Sequence, residues 1–111
     1  MFARDGVYVN CVDEDGCTPL AWAAYLGHLG VVRVLLHAKA EVDKADNTGN
    51  TPLSGAADEG HPAVCEELLN HNADINKGNN YSWTPINYAA CANHPEVARL
   101  LLRIILRTTQ R

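Results

Sequence analysis

Histidine and cysteine are the residues of this sequence with the widest chemical repertoire, and their spacing limits what they can do. His28, His61 and His94 stand 33 positions apart, and Cys11, Cys17, Cys65 and Cys91 are scattered between them. A structural zinc site draws its ligands from short Cys/His spacings that converge on one tetrahedron, and no CxxC or Cys/His pattern of that kind is present. Nor does the sequence offer a nucleophile beside a paired base, a phosphate-cradling glycine loop or a pair of carboxylates set for a cleft. No catalytic residue, metal or cofactor is therefore assigned. The chemistry left is that of recognition.

Charge narrows the partner. Residues 1 to 98 carry five Lys/Arg against thirteen Asp/Glu, a net of −8, whereas residues 99 to 111 carry four Arg and no acid, a net of +4. Affinity for nucleic acid comes from neutralising phosphates with Lys and Arg, so an acidic body argues against a nucleic-acid partner and for a protein with a basic or mixed surface. Four cysteines without a disulfide framework, no signal-peptide pattern and no run of about 18 apolar residues point to a reducing, soluble compartment, cytoplasmic or nuclear, with no membrane partner. With 111 residues, 47 % of them hydrophobic and 20 % charged, the chain is long enough for one modest domain and too short for a core plus a separate catalytic cleft.

The elements that position these side chains follow from an internal repeat. Thr18-Pro19-Leu20, Thr51-Pro52-Leu53 and Thr84-Pro85-Ile86 are 33 positions apart. The same offset carries Ala23-Ala24 to Ala56-Ala57 and Ala89-Ala90, Val31 to Val64 and Val97, and Leu35-Leu36 to Leu68-Leu69 and Leu101-Leu102. Thr before Pro reads as a helix N-cap followed by proline at the first helical position, where a missing N–H is harmless. Gly27, Gly60 and Asn93 end that helix, because the residue after a helix commonly adopts the left-handed conformation that Gly and Asn tolerate. Pro62 and Pro95, with Leu29 in the first copy, open a second helix with a broad apolar face. Asp13-Glu14-Asp15-Gly16 and Asp46-Asn47-Thr48-Gly49 read as type I turns, implying short hairpins between helix pairs. One helix pair cannot bury its apolar face alone, but neighbours laid side by side share a continuous core. Histidines at equivalent turns are then a repeat width apart and cannot meet on one ion; turn roles are expected for them. Cys65 falls on the buried face of its helix.

The order turn, TPL helix, Gly-His turn, Leu-Leu helix, A-x-V-N resembles the ankyrin repeat. The resemblance implies an all-α solenoid of antiparallel helix pairs with short β-hairpin loops, over one domain: residues 1–12 as the end of a preceding repeat (Val7-Tyr8-Val9-Asn10), 13–45 and 46–78 as full repeats, and 79–111 as a third with an extended last helix. The family's TPLH histidine is replaced by Ala21, Ser54 and Asn87, so a polar contact of the first turn is lost in copy one and partly restored in the others.

What the resemblance implies about function is protein binding along a concave groove of hairpin tips and first helices. Carried onto this chain, the groove positions are Glu14, Asp15, Cys17, Tyr25 and Leu26, then Asn47, Thr48, Asn50, Asp58 and Glu59, then Asn80, Tyr81, Trp83, Cys91 and Ala92. Tyr25, Tyr81 and Trp83 stand out, because Trp and Tyr dominate interface hot spots. The resemblance also implies a site for asparaginyl hydroxylation at Asn76, in Asp74-Ile75-Asn76 with Leu68 eight residues earlier.

Two further features come from the residues themselves. Trp22, Gly55 and Tyr88 occupy one position of the repeat, a large-small-large series on the first helices: either the aromatics pack over the gap at Gly55 or the gap stays open as a shallow pocket. Arg99, Arg103 and Arg107 recur every four residues and share one face of the last helix, with Leu102, Ile104, Ile105 and Leu106 around them. Terminal repeats normally carry a polar outer face, so this end calls for a cover: a following repeat or domain of a longer protein is favoured, with self-association or a membrane surface as the other readings. The alternative function is accordingly a structural spacer or regulatory domain of a larger enzyme or channel, contacting its own chain through this helix.

Overall fold

Each Thr-Pro pair does start a helix, for local reasons. Thr18 Oγ1 accepts the Ala21 N–H at 3.1 Å and Thr51 Oγ1 accepts the Ser54 N–H at 3.2 Å, each satisfying a backbone donor that the helix itself leaves orphaned. The third start works differently: Asn87 Oδ1 reaches back to accept the backbone N–H and the hydroxyl of Thr84, both at 2.9 Å. Ala21 adds nothing to its turn, and Ser54 adds a hydroxyl contact to Thr51 at 3.3 Å. The loss in copy one and the partial replacement in copies two and three are thus both visible.

The computed structural model describes residues 9–109. Six helices follow in order: α1 Pro19–Leu26, α2 Leu29–His37, α3 Pro52–Glu59, α4 Pro62–Asn70, α5 Pro85–Cys91 and α6 Pro95–Thr109. Val7 and Tyr8 of the expected preceding repeat lie outside the described residues. The first helices α1, α3 and α5 stack side by side, α2, α4 and α6 form a second layer behind them, and each successive pair packs within itself. Between the layers lie Leu20, Val32, Leu53, Val64, Leu68, Val97 and Leu101, all essentially sealed from water. Burying a side chain of this size stabilises by about 1.5–3 kcal/mol.

Burial at equivalent positions depends on whether a neighbouring helix pair is among the described ones. Val31 is 49 % exposed while Val64 and Val97 are 2 % and 1 % exposed, because this position faces the preceding helix pair and no described helix precedes α1 and α2. Leu36, Leu69 and Leu102 run the opposite way, from buried through half-buried to exposed, since that position faces the following pair. The same side chain is core or surface according to whether its neighbour is there, as nearest-neighbour stacking requires.

The expected hairpins are tight tips, each closed by a backbone hydrogen bond (Asp13 N to Cys17 O, Asp46 N to Asn50 O, Asn79 N to Trp83 O), and none of the described residues lies in a strand. The turns hold because Asp13, Asp46 and Asn79 each accept two backbone N–H groups with one side-chain oxygen. Gly16 and Gly49 take positive φ there, and Ser82 takes the same conformation in the third tip without a glycine's freedom.

Candidate functional site

Tip and inner helix are joined copy by copy. Trp22 Nε1–H donates to Asp13 Oδ2 at 2.9 Å, and its ring meets Tyr25 edge-on with centroids 6.0 Å apart. The indole donor and the Cys17 N–H hold the Asp13 carboxyl below the usual carboxylate range. Two repeats later Tyr88 reaches back across the groove: its hydroxyl donates to Asn50 Oδ1 at 2.9 Å and accepts from Asn79 Nδ2 at 2.8 Å, while its ring meets Trp83 at 5.3 Å. These bonds hold both aromatics in place, and the atoms nearest to where a Cβ on Gly55 would stand belong instead to Tyr25, at 3.7–3.8 Å.

The gap therefore stays open. A depression of about 480 Å³ lies at the centre of the concave face, walled by Trp22, Tyr25 and Tyr88, floored by Ser54 and Gly55, and rimmed by Asp15, Asp46 and Asp58. Its volume falls in the usual range for binding pockets, about 300–1,000 Å³. Of the fourteen residues lining it, three are acidic and none is basic. Burial, and then the charges of Asp13, Asp46 and Asp15, push the Cys17 thiol above its ordinary pKa.

The sequence-derived groove positions divide between this depression and its surroundings. Asp15, Cys17, Tyr25, Asn47, Thr48, Asn50 and Asp58 line it, whereas Glu14, Leu26, Glu59, Asn80, Tyr81, Trp83 and Cys91 do not. Tyr81 projects from the third tip, 78 % exposed. Cys17 is half-buried in the pocket wall, and Cys91 is exposed. Asn47 and Asn80 also stitch the tips together. Each donates its backbone N–H and its carboxamide to carbonyls of the preceding tip, Asp15 and Glu14 for Asn47, Thr48 and Asn47 for Asn80, at 2.9–3.1 Å. Asp46, Ser54 and Thr51 were not among the sequence-derived positions; Asp46 reads as a turn former and the other two as helix-start residues, so only the assembled stack brings them to the pocket.

The recurrent histidines hold the stack. His61 Nε2 lies 3.0 Å from the Tyr25 carbonyl and His94 Nε2 lies 2.9 Å from the Asp58 carbonyl, each tying one turn to the end of the preceding inner helix. Cys65 is sealed in the core, and burial pushes its thiol up to about 12. Asn76 is exposed and its side chain accepts no hydrogen bond among the described residues, whereas its counterparts one and two copies earlier, Asp43 and Asn10, accept the N–H groups of Asp74 and Glu41. The next acceptor's partner, near residue 107, is instead within α6.

At the C-terminal end Arg99, Arg103 and Arg107 line an open groove with Leu102 and Leu106, and none of the three makes an ion pair among the described residues. No described helix is long and apolar enough to cross a membrane.

Stacked helix pairs at a 33-residue period, with tips and inner helices facing one concave side, define a repeat architecture that comparison with known families decides. The family model described as "Ankyrin repeats (3 copies)" matches residues 3–79 and again 39–109, nearly the whole chain. The chain belongs to the ankyrin-repeat family. Over 41 residues, 37 % of its length, it is 46 % identical to the Mus musculus protein curated as "Ankyrin repeat and SAM domain-containing protein 6", of which it spans 5 %. Ankyrin repeats are in general protein-interaction modules and typically have no enzymatic activity.

Proposed function

We propose that this ankyrin domain binds a partner protein through the concave groove of tips and inner helices, and that the partner presents a basic or mixed surface there. The observation that carries the reading is a row of exposed aromatics beside carboxylates on one face: Tyr25, Trp83 and Tyr81 with Asp15, Asp58 and Glu59. Aromatic side chains give large contact area for few lost rotamers. An acidic face without a basic residue in its centre speeds encounter with a cationic partner.

Peptides selected from a displayed random library against the folded chain test this. Bound peptides are expected to move the indole N–H signals of Trp22 and Trp83 in NMR spectra, and Trp83→Ala is expected to weaken them by about thirtyfold, or about 2 kcal/mol. Gly55→Ala separates binding from folding. Its new Cβ would meet Tyr25 Cβ at 3.7 Å, an ordinary contact, so the helix should gain about 1 kcal/mol while the pocket floor rises and affinity falls. Peptides that perturb only α6 and ignore Trp83→Ala would refute the groove.

A second reading rests on the exposed Leu102 beside the arginine face of α6: contact with an adjoining domain or a second copy, as in a spacer or regulatory role. Asn76 is also proposed as a hydroxylation site, supported by its exposure and its idle side chain. A mass gain of one oxygen on the peptide containing Asn76, after treatment with an asparaginyl hydroxylase, is the expected result, and an unchanged mass dismisses it.

A further inference from the structure

We infer that the central depression is an arginine pocket: it takes the guanidinium of one arginine side chain from an extended partner segment. The inference rests on the groove reading above and adds to it the chemistry of the residue recognised.

Three independent features point to a cation. The rim carries the carboxylates of Asp15, Asp46 and Asp58 with no basic residue among the lining side chains. Asp46 has one oxygen committed to its turn, but the Asp15 and Asp58 carboxylates make no hydrogen bond or ion pair among the described residues, so two acceptors stand free. Second, Asp58 sits in the last turn of α3, next to Glu59 and with no basic residue there, where the helix dipole disfavours a negative charge. A cation bound beside it would reverse that penalty, and a broken local rule of this kind is expected where function uses it. Third, the walls include aromatic rings fixed in advance: Trp22 by Asp13 and Tyr25, Tyr88 by Asn50 and Asn79. A cation over an aromatic face is attracted by the ring quadrupole.

Arginine fits better than lysine. Its planar guanidinium stacks on rings and sends five donors in different directions, toward carboxylates on two tips and one helix end, while remaining weakly hydrated. An ammonium is a compact, strongly hydrated charge, and a depression open to solvent on one side would not strip that hydration.

The probe is an acetylated, amidated heptapeptide with one arginine among glycines and serines, titrated into the labelled folded chain. Matched peptides carry citrulline, which keeps the shape and loses the charge, or lysine. The expected result is a saturable shift of the Trp22 indole N–H and the Gly55 amide with the arginine peptide. Citrulline should raise Kd at least tenfold and lysine at least threefold, and the Asp15→Asn, Asp58→Asn double variant should raise Kd for arginine at least fivefold with its fold intact by circular dichroism. Equal affinities for arginine and citrulline, no saturation, or shifts confined to other surfaces would overturn the inference. A lysine peptide that binds as tightly would overturn the guanidinium assignment. If these probes fail while library-selected peptides lacking arginine still depend on Trp83, the groove stands and the arginine pocket alone falls.

Discussion

Leu53→Ala is expected to remove about 3–5 kcal/mol of stability, enough to leave much of the chain unfolded at 37 °C, as read by urea denaturation followed by circular dichroism. Leu53 is completely sealed from solvent on α3, the one helix that packs against α1, α4 and α5 together. Truncation leaves a cavity at the meeting of those elements, and in a stack only nearest neighbours support each repeat, so weakening the central one loosens both interfaces at once. The equivalent Ile86 on α5 is only half-buried, with a neighbour on one side. Ile86→Ala should accordingly cost clearly less. Equal losses at the two positions would mean that the copies do not depend on one another, and the stacking account would fail.

The repeat made the fold legible because it reports whatever every copy must do. Thr-Pro starts, left-handed stops at Gly27, Gly60 and Asn93, and the apolar faces of α2, α4 and α6 are requirements of each unit, so three copies spell them out together. What differs between copies left no such trace. The indole bond of Trp22 to Asp13 and the hydroxyl bonds of Tyr88 to Asn50 and Asn79 occur once each, and they decide that the gap over Gly55 is open. The large-small-large series therefore allowed two readings, and the outcome depended on rotamers fixed by unrepeated partners. Lys39 and Asn72 show the same limit within the backbone. Both take positive φ after α2 and α4, a conformation that Asn tolerates and that no feature of Lys announces.

The proposed binding surface and the stacking contacts share residues at the ends of the inner helices. Tyr25 and Asp58 face the groove with their side chains and give their backbone carbonyls to His61 and His94 behind. Each histidine thus fixes the height at which a groove residue stands. A partner held on the concave face, as proposed, would act on residues anchored to the next repeat, and that anchoring lets short helices of seven or eight residues present a rigid surface.

Gly60→Ala tests that linkage through the backbone. Gly60 ends α3 with φ of 75°, where a Cβ alone costs about 1–2 kcal/mol, and a methyl group there would lie 2.5 Å from His94 Nδ1. The imidazole would have to move, losing its bond to the Asp58 carbonyl, worth about 0.5–1.5 kcal/mol. A loss of about 2–3 kcal/mol in thermal or urea unfolding is expected, with the added mark that the Asp58 and Glu59 amides exchange faster. Adding His94→Ala removes the clash and leaves the strain, so the double variant should lie closer to Gly60→Ala than the sum of the two single losses. Strict additivity would show that glycine and histidine act separately, and that the repeat needs Gly60 for its backbone alone.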